Sequence, residues 1–405
     1  MLTKDYNKRL FHENTLGLDV AVVEGVMGLF DGYDGLSEAG STAEMAKCLK
    51  LPVVLVVSAK GKARSAAAIV KGFEDFDKDL TLTGVIFSKT GSLRHYEYLK
   101  KAVEQNCRTR CLGHMPKDDS IVMTERHLGL VTADEQVLDS NALSRLSSMV
   151  RDNIDMEILI NSLESFNIPQ KRENKDAPAH SHGTGPTIAV ARDKAFCFYY
   201  PDNFDILKKF GAKIIEFSPL NDSGLPEGID GIYLGGGYPE LFADKLSEKK
   251  ELLRQIREHS MNGMPIYGEC GGFMFLCKSL SAMDGTASYP MAGCFDLHVQ
   301  MSRRLRSLGY REITLTRDTI IGRKGMKLRG HEFHYSSLQS SEMDAPDVYQ
   351  VTSRDGQGIS LKGYQVFNTL GSYLHVHFGS NEACAKEFVK TCKGFKDKKH
   401  VCRCT

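Results

Sequence analysis

Cys270 sits where a thiol can do chemistry, in Tyr267-Gly268-Glu269-Cys270-Gly271-Gly272-Phe273-Met274. A short apolar run ends at the cysteine, and two glycines lead at once into a second apolar run. That pattern predicts a strand, a tight turn and a helix, with the sulfur on the turn and the helix's free N–H groups favouring the thiolate. A thiolate attacks carbonyl carbon. About a hundred residues on, Ser372-Tyr373-Leu374-His375-Val376-His377 places imidazoles in another strand-like run. A cysteine with a distant histidine is a nucleophile-and-base arrangement.

Two further clusters carry chemistry. Gly235-Gly236-Gly237-Tyr238-Pro239-Glu240 follows a strand-like run, and backbone without Cβ atoms can turn its N–H groups toward a negative oxygen. The N–H groups of Gly236 and Gly271 together would make an oxyanion hole for an acyl-transfer intermediate. Near the start, Val23-Glu24-Gly25-Val26-Met27-Gly28-Leu29-Phe30-Asp31-Gly32 sets a carboxylate at the end of a strand-like run, then a glycine-laced loop and a second carboxylate. An α/β site holds Mg²⁺ against phosphate oxygens in this way.

These residues need elements to position them, and the sequence alternates accordingly. Residues 19–24, 52–58 and 82–88 are apolar runs that suit parallel strands covered on both faces, and 41–50 and 64–76 have helical spacing. A second series opens at 186–191 and continues through 212–217, 231–234 and 265–267. Between the series, residues 171–185 turn polar and read as an interdomain linker, His180 and His182 included. The expected organisation is α/β throughout: one α/β domain over 1–165, a linker over 166–185, a second α/β domain over 186–392 and a flexible lysine-rich tail over 393–405.

Composition narrows the function classes. The 405 residues carry 52 basic and 51 acidic side chains, so no broad nucleic-acid or membrane footprint is expected. Eleven cysteines, an odd number without a CxxC pair, read as reduced thiols of a cytoplasmic protein. No apolar run approaches the ~18 residues that a membrane span needs.

Residues 186–392 resemble the class I glutamine amidotransferase domain of the cobyrinate and cobyrate synthase type. Residues 19–392 as a whole resemble the cobyrinate a,c-diamide synthase family. The strings that carry the wider resemblance are Glu24-Gly25-Val26-Met27-Gly28-Leu29-Phe30-Asp31-Gly32, residues 64–73, Glu125-Arg126-His127-Leu128-Gly129-Leu130, Phe198-Tyr199-Tyr200-Pro201-Asp202-Asn203, Leu308-Gly309-Tyr310-Arg311-Glu312 and Gly330-His331-Glu332-Phe333-His334. The resemblance implies a flavodoxin-like glutaminase domain behind a dethiobiotin-synthetase-like, P-loop-type parallel sheet. It implies Cys270 and His375 as the glutaminase pair, Glu24 as a Mg²⁺ carboxylate and Asp31 as a carboxylate on the substrate or metal side. ATP would activate the a and c acetate carboxylates of cobyrinate as acyl phosphates, and glutamine would supply the ammonia. A homodimer is left open. His331 and His334 are expected either as structural histidines or as neighbours of the glutaminase site or the domain interface.

The chain departs from the family pattern in two places. Many class I glutaminases carry a glutamate two residues after the histidine, where this chain has His377. No G-x-x-x-x-G-K-[ST] loop occurs, so the first strand and P-loop are read as missing, by a misassigned start, a fragment or a separate polypeptide. The alternatives are nickel-sirohydrochlorin a,c-diamide synthase or a glutaminase-like, tetrapyrrole-binding remnant without ligase activity.

Overall fold

The computed structural model describes residues 1–121, 139–163, 185–339 and 347–403. The Glu125–Leu130 string and most of the expected linker, with His180 and His182, lie outside them. The chain divides into two compact units, Lys4–Arg172 and Glu173–Thr405 with Met1–Thr3.

In the first unit three parallel strands lie side by side in chain order: β1 (Val53–Ser58), β2 (Leu82–Thr90) and β3 (Arg110–Pro116). Helix Ser65–Phe76 crosses from β1 to β2, and helix Leu93–Asn106 from β2 to β3. Their buried stripes, Ala66, Ala67 and Val70 on one and Leu99 and Val103 on the other, pack over Val85 and Phe87 of β2. Glu74 closes this core at one end. Its Oε2 accepts from the backbone N–H groups of Arg108 and Thr109 and from the Thr109 hydroxyl, each at 2.7 Å. Burial raises the Glu74 pKa, but the bonds from Thr109, Lys71 and Arg108 outweigh it and hold the carboxyl at about 2.

The strand expected over residues 19–24 does not form. The segment runs as irregular, exposed backbone, with Val22 92% accessible. A strand needs a neighbour for its ladder, and no described segment pairs with this one.

The second unit is built on a six-stranded sheet. Its parallel strands are β4 (Thr187–Ala191), β5 (Lys213–Phe217), β6 (Gly231–Leu234), β7 (Ile266–Glu269) and Thr369–Ser372, and Tyr364–Val366 is an antiparallel edge. The order across the sheet is β5-β4-β6-β7, then Thr369–Ser372, then Tyr364–Val366. β4, β6 and β7 are buried almost throughout, as strands covered on both faces must be. A five-stranded antiparallel sheet runs Gly358–Ile359, Tyr349–Ser353, Ser307–Leu315, Lys327–His334 and Leu374–Val376. Its last strand follows directly on Thr369–Ser372, so one short stretch of chain serves both sheets.

The expected tail is instead part of a helix, Ala383–Arg403. The Lys396 and Lys399 ammonium groups reach back to the carbonyls of Gly185 and Ile229, at 2.6 and 2.7 Å. Lysine at a helix's last turns suits its negative end, which composition alone did not reveal.

Candidate active site

Cys270 stands at the end of β7 with φ +46° and ψ −103°, outside the regions open to ordinary L-residues. Such a backbone costs on the order of 1–3 kcal/mol and needs support from its surroundings. The Cys270 N–H donates to Ser372 O at 2.8 Å, and the Gly272 N–H to Gly235 O at 2.9 Å. The flanking glycines are dictated by space. A Cβ on Gly272 would lie 2.2 Å from Leu234 O, and one on Gly271 would lie 2.9 Å from Pro239 Cδ and 3.0 Å from Gly237 N. The turn after the cysteine therefore packs directly on the triple-glycine turn after β6.

His375 lies in the middle of the strand Leu374–Val376 and is buried. A Cβ on Gly236 would fall 2.2 Å from His375 Cε1, so the imidazole rests on the backbone of that same turn. The strand's neighbour Lys327–His334 also borders the cysteine, whose Sγ lies 3.6 Å from Phe333 O. The structure thus gathers Cys270, Gly236, Gly271 and His375 at the carboxyl ends of β6 and β7, where ligands bind in open α/β sheets. One detail differs from the sequence reading. The Gly236 N–H already donates to Phe198 O at 3.2 Å, while the neighbouring nitrogen of Gly237 lies 3.0 Å from where a Cβ on Gly271 would stand.

A family model for the CobB/CobQ-like glutamine amidotransferase domain matches residues 187–383, which include all four of these positions. The whole chain is similar to a cobyrinate a,c-diamide synthase of Caldanaerobacter subterraneus subsp. tengcongensis, 39% identical over 98% of this chain and 86% of that protein. It is likewise similar to one of Dehalococcoides mccartyi, 38% identical over 98% of this chain and 86% of that protein. The chain belongs to the cobyrinate a,c-diamide synthase family. By that membership it is a ligase of the glutamine-dependent, amide-forming kind.

Electrostatics of the site follow from its dryness. Burial pushes the Cys270 thiol well above its usual range; the nearby Glu240 charge adds to this, and the Gly271 N–H opposes it only in part. A helix N-terminus favours a thiolate, but Gly271–Leu276 is only six residues long and does not outweigh that burial. Burial also drives the His375 imidazole well below its ordinary pKa, helped by His331 and His334. Burial thus disfavours charge on both members of the pair.

Around it this member of the cobyrinate a,c-diamide synthase family carries groups that motif reading missed. Glu269, next to the cysteine, is 2% exposed. Its carboxylate accepts from the Val376 N–H at 2.9 Å, from Tyr267 Oη at 2.8 Å and from Tyr233 Oη at 3.0 Å. It therefore ties the strand bearing the thiol to the strand bearing the imidazole. Burial raises its pKa to about 7 against the pull of those three donors. A carboxylate in the last position of a wholly apolar strand was the signal available in the sequence.

The remaining histidines divide. His334 is structural: it stacks on Tyr373 with centroids 3.9 Å apart, and its ring nitrogens meet Glu332 Oε1 at 2.9 Å and Ser336 O at 2.8 Å. His331 is paired across the ladder with His375 itself. His377, in the position where a glutamate was sought, has its own partner: its Nδ1 accepts from the Gly379 N–H at 3.1 Å.

Glu24 and Asp31 are not assembled into a site of this kind. Both are exposed, in the irregular segment before helix Thr42–Leu49. Asp31 folds back locally, its N–H on Gly28 O at 3.0 Å. No group of three or more metal-ligating side chains occurs among the described residues. A Mg²⁺ ion takes one or two protein carboxylates and fills its octahedron with substrate phosphate oxygens and water, and Glu24 and Asp31 are the two carboxylates that would hold it. Among the described residues, no helix is long and apolar enough to cross a membrane.

Proposed function

We propose that this chain hydrolyses glutamine at Cys270 and uses the ammonia to amidate the a and c acetate carboxylates of cobyrinate in cobalamin biosynthesis. The observation that carries the glutaminase half is the strained Cys270 turn packed on the glycine turn that also supports His375. His375 takes the thiol proton as sulfur attacks the side-chain amide carbon, and the tetrahedral oxyanion draws on the N–H groups of Gly237 and Gly271. His375 returns the proton to the leaving nitrogen, which departs as ammonia. It then activates water to release glutamate from the thioester. Each turnover regenerates thiol and imidazole.

The acceptor half follows the family. A carboxylate oxygen is a poor leaving group, so ATP first converts the acetate to an acyl phosphate with loss of ADP. Ammonia then attacks the acyl carbon and phosphate leaves. ATP and glutamine are cosubstrates of this reading and cobyrinate the acceptor.

The test is product formation from cobyrinate and ATP with either glutamine or ammonium as nitrogen donor. Cys270→Ser should abolish glutamine-dependent amidation and glutamate release while ammonium still supports product. Glutamate release that survives Cys270→Ser would end the glutaminase assignment. Wild-type glutamate release without amidation from either donor would restrict the chain to a glutaminase.

A further inference from the structure

We infer that Tyr200 and His331 set and hold the imidazole of His375, in the place that a carboxylate hydrogen bond fills in Cys-His-acid sites; this rests on the Cys270–His375 reading above. A general-base histidine needs its ring fixed at one angle, and the usual device is an acceptor on its second nitrogen. Here that device is missing. His375 Nδ1 is buried without a hydrogen-bond partner among the described residues, and His377 is engaged with Gly379.

Ring contacts take over the task. His331 lies directly opposite His375 in the antiparallel ladder, and the two imidazoles are stacked with centroids 4.5 Å apart and planes 5° from parallel. Phe198 meets both in T-shaped contacts, at 5.0 Å from His375 and 5.5 Å from His331. Gly236 bounds the ring at Cε1. His331 is anchored in turn, because the Tyr200 hydroxyl meets its Nδ1 at 2.5 Å. Tyr200 precedes helix Pro201–Lys209, and its ring packs on His377 at 4.5 Å.

The stack also suits the charge that develops. When His375 accepts the thiol proton it becomes an imidazolium, and a neutral aromatic face stabilises a cation at this separation. A second cation in that place would repel it. With Tyr200 donating, the Nδ1 lone pair of His331 is occupied, which opposes protonation there. Burial works in the same direction, lowering the His331 pKa to about 4 and raising that of Tyr200. Other titratable groups around the pair include His334, Cys270, Tyr310, the N-terminal ammonium, His377 with Asp202 beside it at 3.9 Å, Glu332 and Glu269.

The experiment is glutamine hydrolysis by the full chain, comparing Cys270→Ser, His331→Ala, His331→Phe and Tyr200→Phe, with circular dichroism to check folding. The expected result is a kcat loss of about 10²-fold for His331→Ala at a KM within about twofold of wild type. His331→Phe, which keeps a neutral ring, should recover most of it. Tyr200→Phe should lose less at pH 8 and progressively more toward pH 6, as His331 becomes easier to protonate. Turnover by Cys270→Ser would remove the reading underneath. With Cys270→Ser inactive, a folded His331→Ala of wild-type kcat, or a His331→Phe no better than His331→Ala, overturns the inference. Should His331→Ala fail to fold, Tyr200→Phe decides: a wild-type kcat and pH profile overturns it.

Discussion

Replacing Glu269 by Gln tests the account of the buried carboxyl that links the two catalytic strands. The folded-state pKa of about 7 stands about 2.5 above the ordinary carboxyl value of 4.5. At about 1.36 kcal/mol per pKa unit this is a differential of about 3 kcal/mol. Its sign follows from proton counts. Below pH 4.5 the carboxyl is protonated in both states and there is no penalty. Between 4.5 and 7 the unfolded chain releases its proton while the folded one keeps it, so stability falls as pH rises. Above 7 both are ionised and the folded protein bears the full cost. The amide of the Glu269→Gln variant does not titrate and keeps an acceptor for the Val376 N–H. The unfolding free energy of Glu269→Gln relative to wild type should therefore rise by about 2–3 kcal/mol between pH 5 and pH 8.5. Other titrating groups are common to both proteins and cancel. Urea unfolding followed by circular dichroism at the two pH values measures it, on the transition of the unit that carries the residue. A difference flat with pH to within about 0.5 kcal/mol would refute the argument, because the carboxyl would then titrate alike in both states.

Other outcomes are expected from the same geometry. Gly236→Ala places a methyl 2.2 Å from the His375 ring and should lower glutamine turnover by about 10²-fold in a folded protein; wild-type kcat would place the ring elsewhere. Glu74→Gln should destabilise the Lys4–Arg172 unit at neutral pH by removing the charged acceptor of three bonds. Because the Glu74 pKa is depressed, that deficit should shrink as pH falls from 4.5 toward 2; a deficit independent of pH in thermal melts would contradict it.

Much of the sheet framework could be read directly. Strands 52–58, 82–88, 186–191 and 231–234 are largely apolar runs, 212–217 keeps an apolar centre between Lys213 and Glu216, and helices 42–49 and 65–76 have clear amphipathic spacing; all form close to where they are expected. The Cys270 turn was legible because its requirement is local: only Gly tolerates the approach of Leu234 O and the Gly237 backbone. Residues 19–24 misled for the complementary reason. Apolar content sets strand propensity, but a strand exists only where a ladder partner does, and that is a property of the whole sheet. Glu24 and Asp31 are left with it on exposed, irregular backbone. The neighbours of His375 were invisible for another reason: His331 and Tyr200 come to it from distant stretches of chain, through strand register and a helix start that no short motif encodes.

The dry setting of the nucleophile has a consequence for how the protein endures in the cell. Peroxide and adventitious electrophiles react with sulfur anions, and the burial that disfavours the anion at Cys270 makes that sulfur a poor target for them. Accidental oxidation should then fall first on the more accessible thiols such as Cys48, sparing the one atom on which turnover depends.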